Sequence, residues 1–329
     1  METVTYKTQM LTEEYYKIFT GLYNDFKLQA VSNYKFELNP LPYEEFIDAV
    51  ENKLIQCLIL LENEIPTAFL VYTSAISESI ELNIIHCLGN EDIINKQKCL
   101  MNLFLETTKF ERKKKVVCYP MLGTQANFTS DIAHFGFKFV GLAVLRFIMG
   151  NAQSERILEN MAIPERSSAY TIRSWSDDYL EDTVKIIHAN FKEASDAKFD
   201  TRFLTKEGTK DIIDKIVNSI YGEFLPEATS VLLHCNVPVG VVFVNVTGEK
   251  IANIPLVAIN KEHRGKGLSE VMLQKSVRTV VDWVKLGQKN YSEINVTAET
   301  NNYQALKMYR HVGFKEDYSY PQAYLPVQK

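Results

Sequence analysis

The sequence holds no two cysteines at CxxC spacing, and its five cysteines (Cys57, Cys87, Cys99, Cys118 and Cys235) are odd in number. Disulfide frameworks and zinc sites both need such pairs, so neither is expected, and no metal is. No apolar run approaches the ~20 residues that cross a bilayer. The amino terminus, METVTYKTQM, lacks the charged-then-apolar order of a signal peptide. A cytoplasmic protein without membrane partners is expected, although a signal-less export route would need no such segment. Basic excess is missing as well. The net charge of −5 argues against nucleic acid as a partner, because phosphates need a basic face. The strongly basic run FERKKK (Phe110 to Lys115) reads as a solvated helix end. Two phosphate-loop signatures are absent too: the chain has neither the GxxxxGK[ST] spacing nor a GxGxxG turn.

What is present suits a soluble globular chain. Apolar residues make up 46% and charged residues 23% of 329, enough for a core in each of two domains of about 150 residues. In the second half, AYTIRSW alternates like a strand, and SDDYLEDTVKIIHANF opens with a Ser/Asp cap and continues with helical spacing. FLTKEGTKDIIDKIVNSIYG reads as a helix ended by Gly222, and TSVLLHCNVPVGVVFVNVTGEK as a hairpin turning near Pro238. IANIPLVAI is a strand. The spacing of Leu273, Val277, Val280 and Val284 then predicts a long helix ended by Gly287. The strand SEINVTAE, the helix NYQALKMYRHV and an extended run to Leu325 complete this half.

The first half repeats the order more faintly. LIQCLILLENEIPTAFLVYT matches the later hairpin, with Pro66 placed as Pro238 is. Gly136-Phe137-Lys138 matches Gly313-Phe314-Lys315 ahead of the last strand. A duplicated domain follows, with residues 1–150 as one copy, 151–168 as connector and 169–329 as the other. The expected fold class is α/β, with an α+β mixed sheet flanked by helices in each copy.

One loop carries the chemistry. In Arg264-Gly265-Lys266-Gly267-Leu268-Ser269 a strand delivers two glycines to the start of a long helix. Glycines let backbone N–H groups converge, and a helix start adds unpaired N–H groups and a positive dipole end. Such a place binds pyrophosphate, with Arg264 and Lys266 adding charge. Downstream stand Asn302, Ala305, Tyr309 and Gly313-Phe314. Loop and helix together resemble the GNAT N-acetyltransferase superfamily, through its Arg/Gln-x-x-Gly-x-Gly/Ala signature and its Asn-x-x-Ala-x-x-x-Tyr-x-x-x-Gly-Phe pattern. The likeness spans roughly Ala169 to Leu325.

The resemblance implies a tandem acetyltransferase using acetyl-CoA. The backbone of Val257, Ala258 and Ile259 would pair with the pantetheine arm. Arg264, Gly265, Lys266, Gly267, Leu268 and Ser269 would hold the pyrophosphate, and Asn302 would reach the arm. Tyr309 would protonate the leaving thiolate as general acid, and a strand N–H near Val257 would stabilise the oxyanion. Ser269 stands where the family prefers Gly or Ala, a small change at a helix start. Asn253 stands where histone-type members carry a glutamate base, and a carboxamide accepts no proton usefully. A water held by Asn253, or Glu223 or Glu227, would then serve.

In the first half the matching loop, CLGNEDIINKQK, has one glycine and places Glu91 and Asp92 where phosphate would sit. That half reads as a degenerate copy, and the whole as a monomer with one working site. The expected activity is transfer of acetyl to a primary amine of a small molecule or peptide. The alternatives are a protein lysine or amino-terminal acetyltransferase, and a non-catalytic acyl-CoA-binding or partner-binding module.

Overall fold

The computed structural model describes residues 6–33, 40–74, 79–160, 169–248 and 250–328. In chain order the first elements are β1 (Tyr6–Met10), α1 (Glu13–Asn33), α2 (Tyr43–Glu51), β2 (Gln56–Glu62), β3 (Ile65–Thr73) and β4 (Ile80–Cys87). Then come α3 (Ile93–Thr107), β5 (Val117–Pro120), α4 (Thr129–Ile132), β6 (Lys138–Ile148), α5 (Ala152–Asn160) and β7 (Tyr170–Ser174). They are followed by α6 (Leu180–Phe191), α7 (Asp196–Phe199), α8 (Lys206–Val217), β8 (Glu223–Phe224), β9 (Ser230–His234) and β10 (Val237–Val242). The last are β11 (Asn245–Val246), β12 (Ile251–Asn253), β13 (Val257–Ile259), α9 (Leu268–Lys285), β14 (Glu293–Glu299), α10 (Tyr303–Val312) and β15 (Lys315–Leu325). Among the described residues no helix is long and apolar enough to cross a membrane.

The chain forms two compact units. One holds the residues up to Val140, with Lys198–Asp200 and the stretch from Tyr320 on; the other holds Gly141–Ala197 and Thr201–Ser319. In the first unit, β1 to β4 are antiparallel neighbours and β4 pairs parallel with β5. The end of β15 pairs antiparallel with β5, Gln322 opposite Pro120 and Leu325 opposite Val117. Along β2, Leu58 and Leu60 join the core with α3, while Cys57, Ile59 and Leu61 join the core with α1 and α2. A strand buried on both faces needs a continuous apolar run, which is why this hairpin shows no alternation of polar and apolar residues.

The second unit carries two sheets. In one, β6 pairs antiparallel with β14, β14 parallel with β12, and β12 antiparallel with β11, which pairs with β8. In the other, β13, β10, β9 and β7 are antiparallel neighbours in that order. Alternation again divides the faces: Leu232 joins the core of α9 and α10, whereas Val231 and Leu233 join that of α6 and α8. Each unit is therefore a mixed α/β structure with helices on its sheets, as expected.

Several local expectations are corrected. The β9–β10 hairpin turns at Cys235-Asn236, both with positive φ (50° and 66°), and Pro238 lies inside β10 beside a register shift. The β2–β3 hairpin does the same, with Asn63-Glu64 at the turn and Pro66 in the strand. Helix α8 ends at Val217, ahead of Gly222. Gly222 is needed for another reason: its φ is +99°, and a Cβ there would lie 2.1 Å from the Val246 carbonyl oxygen. The basic run forms a short 3-10 turn, Glu111–Lys113, in which Arg112 is buried and donates to the Leu105 carbonyl at 2.6 Å. Within the stretch read as connector, Ala152–Asn160 is helical and lies in the second unit; residues 161–168 lie outside the described residues.

Candidate active site

Strand β12 runs beside β14 as far as Asn253, and the Ile254 N–H still donates to the Asn295 carbonyl at 3.0 Å. The chain then leaves for the other sheet, where β13 is an edge strand with β10 as its partner. On the β10 side the Phe243 N–H donates to the Leu256 carbonyl (3.0 Å) and the Asn260 N–H to the Val239 carbonyl (2.8 Å). Backbone groups alternate sides along an antiparallel strand, so Ala258 also faces β10 while Val257 and Ile259 face the open edge. Of the expected strand contacts, Val257 and Ile259 therefore have backbone to offer an extended ligand, and Ala258 does not. Part of the Ile259 carbonyl is taken by Arg264 Nε, 3.3 Å away.

The chain then enters the glycine loop. Gly265 and Gly267 have φ of +74° and +70°, a region where side-chain-bearing residues are strained. Gly267 is the N-cap of α9 and supplies no side-chain cap. The helix's first bond runs from the Val271 N–H to the Gly267 carbonyl, at 3.3 Å. The N–H groups of Leu268, Ser269 and Glu270 thus lack helical acceptors, as an anion site requires. The loop is exposed from Arg264 to Gly267 and anchored by buried Leu268. The Glu270 carboxylate, a repulsive group for an anion, is turned to His311 of α10, 3.2 Å away.

The two loop cations differ. Arg264 donates to the Asn190 side-chain oxygen on α6 and to Ile259, so it braces the loop. Lys266 lies over the Tyr170 ring, 5.7 Å from its centroid, and donates to its hydroxyl at 3.2 Å. That hydroxyl lies 2.8 Å from His263 Nδ1, and burial is the largest cause lowering the His263 pKa.

Helix α10 starts at Asn302, whose side-chain oxygen accepts from the Ala305 N–H at 3.1 Å. The Asn302 oxygen is thus a helix cap, and its side-chain NH2 is left as the donor. Gly313 ends the helix with φ of +107°, and a Cβ there would lie 2.7 Å from the Ser154 carbonyl oxygen. Tyr309 is buried, its ring centroid 5.7 Å from that of Phe314. Burial pushes its phenol far above the usual value, and Asp196 adds to the shift, so the hydroxyl stays protonated.

Asn253 donates from Nδ2 to the side-chain oxygen of Asn245, 3.3 Å away, which leaves its own oxygen as an acceptor. Glu223 is exposed and ion-paired with Lys289 at 3.0 Å. Sequence reasoning missed a different acidic group. The Ser195 hydroxyl donates to Glu299 at the end of β14, next to Asp196. Asp196 is open to solvent, yet the surrounding protein desolvates its carboxyl and raises its pKa. Its own backbone amide opposes that shift and Glu299 reinforces it. No sequence spacing signals this pair. The available sign was acidic residues at a strand end and a short helix start.

Residues 200–314, which include the loop, Asn302 and Tyr309, match the acetyltransferase (GNAT) family. Solved structures resemble the chain over nearly all its length. One is a GCN5-related N-acetyltransferase from Sphaerobacter thermophilus, at 13% identity over 99% of this chain and 98% of that one, with a TM-score of 0.61. Another is a tandem GNAT protein from the clavulanic acid biosynthesis pathway (9% identity, 99% of each chain, TM-score 0.56). A third is the GCN5-related glucosamine N-acetyltransferase region of a fungal multi-domain GH3 β-N-acetylglucosaminidase (11% identity, 99% of this chain and 38% of that one, TM-score 0.57). No curated protein matches the chain. At such identities the structural likeness is one of fold.

Proposed function

We propose that the chain, with its GNAT acetyltransferase domain at residues 200–314, transfers acetyl from acetyl-CoA to a primary amine through one site in its second half. The fold supports acyl transfer in general; the donor, the acceptor and the residue roles are our reading. The observation that carries it is the exposed loop with left-handed Gly265 and Gly267, next to the unpaired edge of β13. Pyrophosphate fits such converging amides, and an amide-bearing arm fits the edge at Val257 and Ile259. Lys266 supplies charge at the rim.

Acetyl-CoA brings the thioester. Around it, the Val257 N–H donates to the carbonyl oxygen as the amine attacks carbon, and Tyr309 gives its proton to sulfur as the C–S bond breaks. A protein-like amine is protonated at neutral pH and must lose its proton first. Asp196, with Glu299 beside it, attracts the ammonium group, and its raised pKa suits it to take that proton. The nitrogen loses its second proton as the amide forms; that proton restores Tyr309, and the one held by Asp196 passes to solvent, which closes the cycle. Asn253 has its amide committed to Asn245 and holds a relay water through its oxygen. The acidic pair favours a cationic acceptor, whether a small polyamine-like molecule or a lysine side chain.

An acetyl-CoA turnover screen across aminoglycosides, polyamines, amino acids and lysine peptides tests this. Turnover with a cationic amine is expected. Acetyl-CoA binding without turnover on any amine would make the chain a non-catalytic acyl-CoA-binding module.

A further inference from the structure

Beside the glycine loop lies a cluster that the proposed chemistry leaves unused. Tyr170 begins β7 and His234 ends β9, and the two stand opposite each other in register. Residues directly opposite share a face of the sheet, and these two rings have centroids 4.6 Å apart. His263, two residues before Gly265, closes the group. Its ring centroid is 5.0 Å from that of His234 and 5.7 Å from that of Tyr170. Lys266 reaches the same place from inside the loop, donating to the Tyr170 hydroxyl at 3.2 Å. The three rings are half-buried and Lys266 is exposed, so the cluster meets solvent.

The hydrogen bonds set what this cluster offers. The Tyr170 hydroxyl accepts from Lys266 and is thereby free to donate to His263 Nδ1, 2.8 Å away. A neutral imidazole that accepts at Nδ1 carries its proton on Nε2, which makes that nitrogen a donor. Burial favours the neutral ring by lowering the His263 pKa. Among the described residues the His234 side chain makes ring contacts and no hydrogen bond. The charges of His234 and Lys266 act on His263 more strongly than Glu262, the exposed carboxylate beside it. An ammonium group and two imidazoles gathered in this way suit a phosphate dianion.

We propose that Lys266, His263 and His234 form a second phosphate subsite, which takes the ribose 3′-phosphate of CoA. The proposal rests on the acetyl-CoA reading of the loop and adds to it a means of telling CoA from its dephosphorylated form. In CoA a single ribose separates this phosphate monoester from the pyrophosphate. Lys266 belongs to the glycine loop by its backbone and to the cluster by its side chain, so the two subsites lie a side chain's length apart.

The test is calorimetric titration of the full chain with acetyl-CoA and with acetyl-dephospho-CoA, which lacks only that phosphate. Acetyl-CoA should bind roughly tenfold tighter. His263→Phe and His234→Phe keep a ring in place and remove the donor nitrogens, and each should lower the ratio of the two affinities about threefold. The ratio is the readout because a general disturbance of the loop would weaken both ligands together. Either variant serves if the other fails to fold. Equal affinity of the wild type for the two ligands, or an unchanged ratio in a folded variant, would overturn the proposal and leave the acetyl-CoA reading standing. Binding of neither ligand to the wild type would overturn both.

Discussion

Arg264 donates to the side-chain oxygen of Asn190 and, through Nε, to the Ile259 carbonyl 3.3 Å away. One guanidinium thereby ties the glycine loop to α6 and to the edge strand. A lysine would keep the charge but not the fork. Arg264→Lys should weaken acetyl-CoA binding about tenfold, equivalent to about 1.4 kcal/mol, and Asn190→Ala should reproduce much of that loss. Full affinity in Arg264→Lys would show that charge alone matters.

Gly265 has φ of +74° with open space around a built Cβ, so alanine there meets conformational strain and no clash. Gly265→Ala should cost about 1 kcal/mol of loop stability, and so lower acetyl-CoA affinity with little change in the melting temperature of the free protein. A normal affinity would mean that the left-handed turn is not what presents the amides.

Tyr309→Phe removes the proton donor and keeps the ring against Phe314. Turnover should fall by about a hundredfold while acetyl-CoA affinity stays close to wild type. Stopped-flow detection of free thiol separates the two effects. Unchanged turnover would assign protonation of the leaving thiolate to solvent or to another group.

Asp196 has a raised carboxyl pKa, so two pH effects follow with definite signs. A base must be ionised, so kcat/KM should rise with pH through the raised pKa, and Asp196→Asn should flatten that limb. For stability, the folded state holds this proton more tightly than the unfolded chain. The side chain therefore costs stability as pH rises above the ordinary carboxylate range, and Asp196→Asn should raise the neutral-pH melting temperature. A variant with an unchanged pH–rate profile would remove Asp196 from the proton path.

The second half was legible where the signal is local. Gly265, Gly267 and Gly313 announce turns that only glycine takes readily, and the apolar spacing from Leu268 announces α9. What depends on distant pairing was not. Nothing in the two Gly-Phe-Lys tripeptides says that β6 pairs with β14 or that β15 ends beside β5. The proline in each hairpin looked like a turn residue, but the turns are Asn63-Glu64 and Cys235-Asn236, which carry the positive φ themselves. Asp196 and Glu299 come together only through the fold, whereas Glu223, plausible in sequence, is engaged by Lys289.

The central claim is one acetyl-CoA site built on the glycine loop of the second unit. Calorimetric titration of the full chain with acetyl-CoA, in the wild type and in Gly267→Glu, tests it most directly. The account predicts one equivalent bound per wild-type chain and none in a folded Gly267→Glu protein, where a side chain at φ of +70° would carry negative charge into the cradle. Undetectable binding to the wild type, or undiminished binding to the variant, would contradict it.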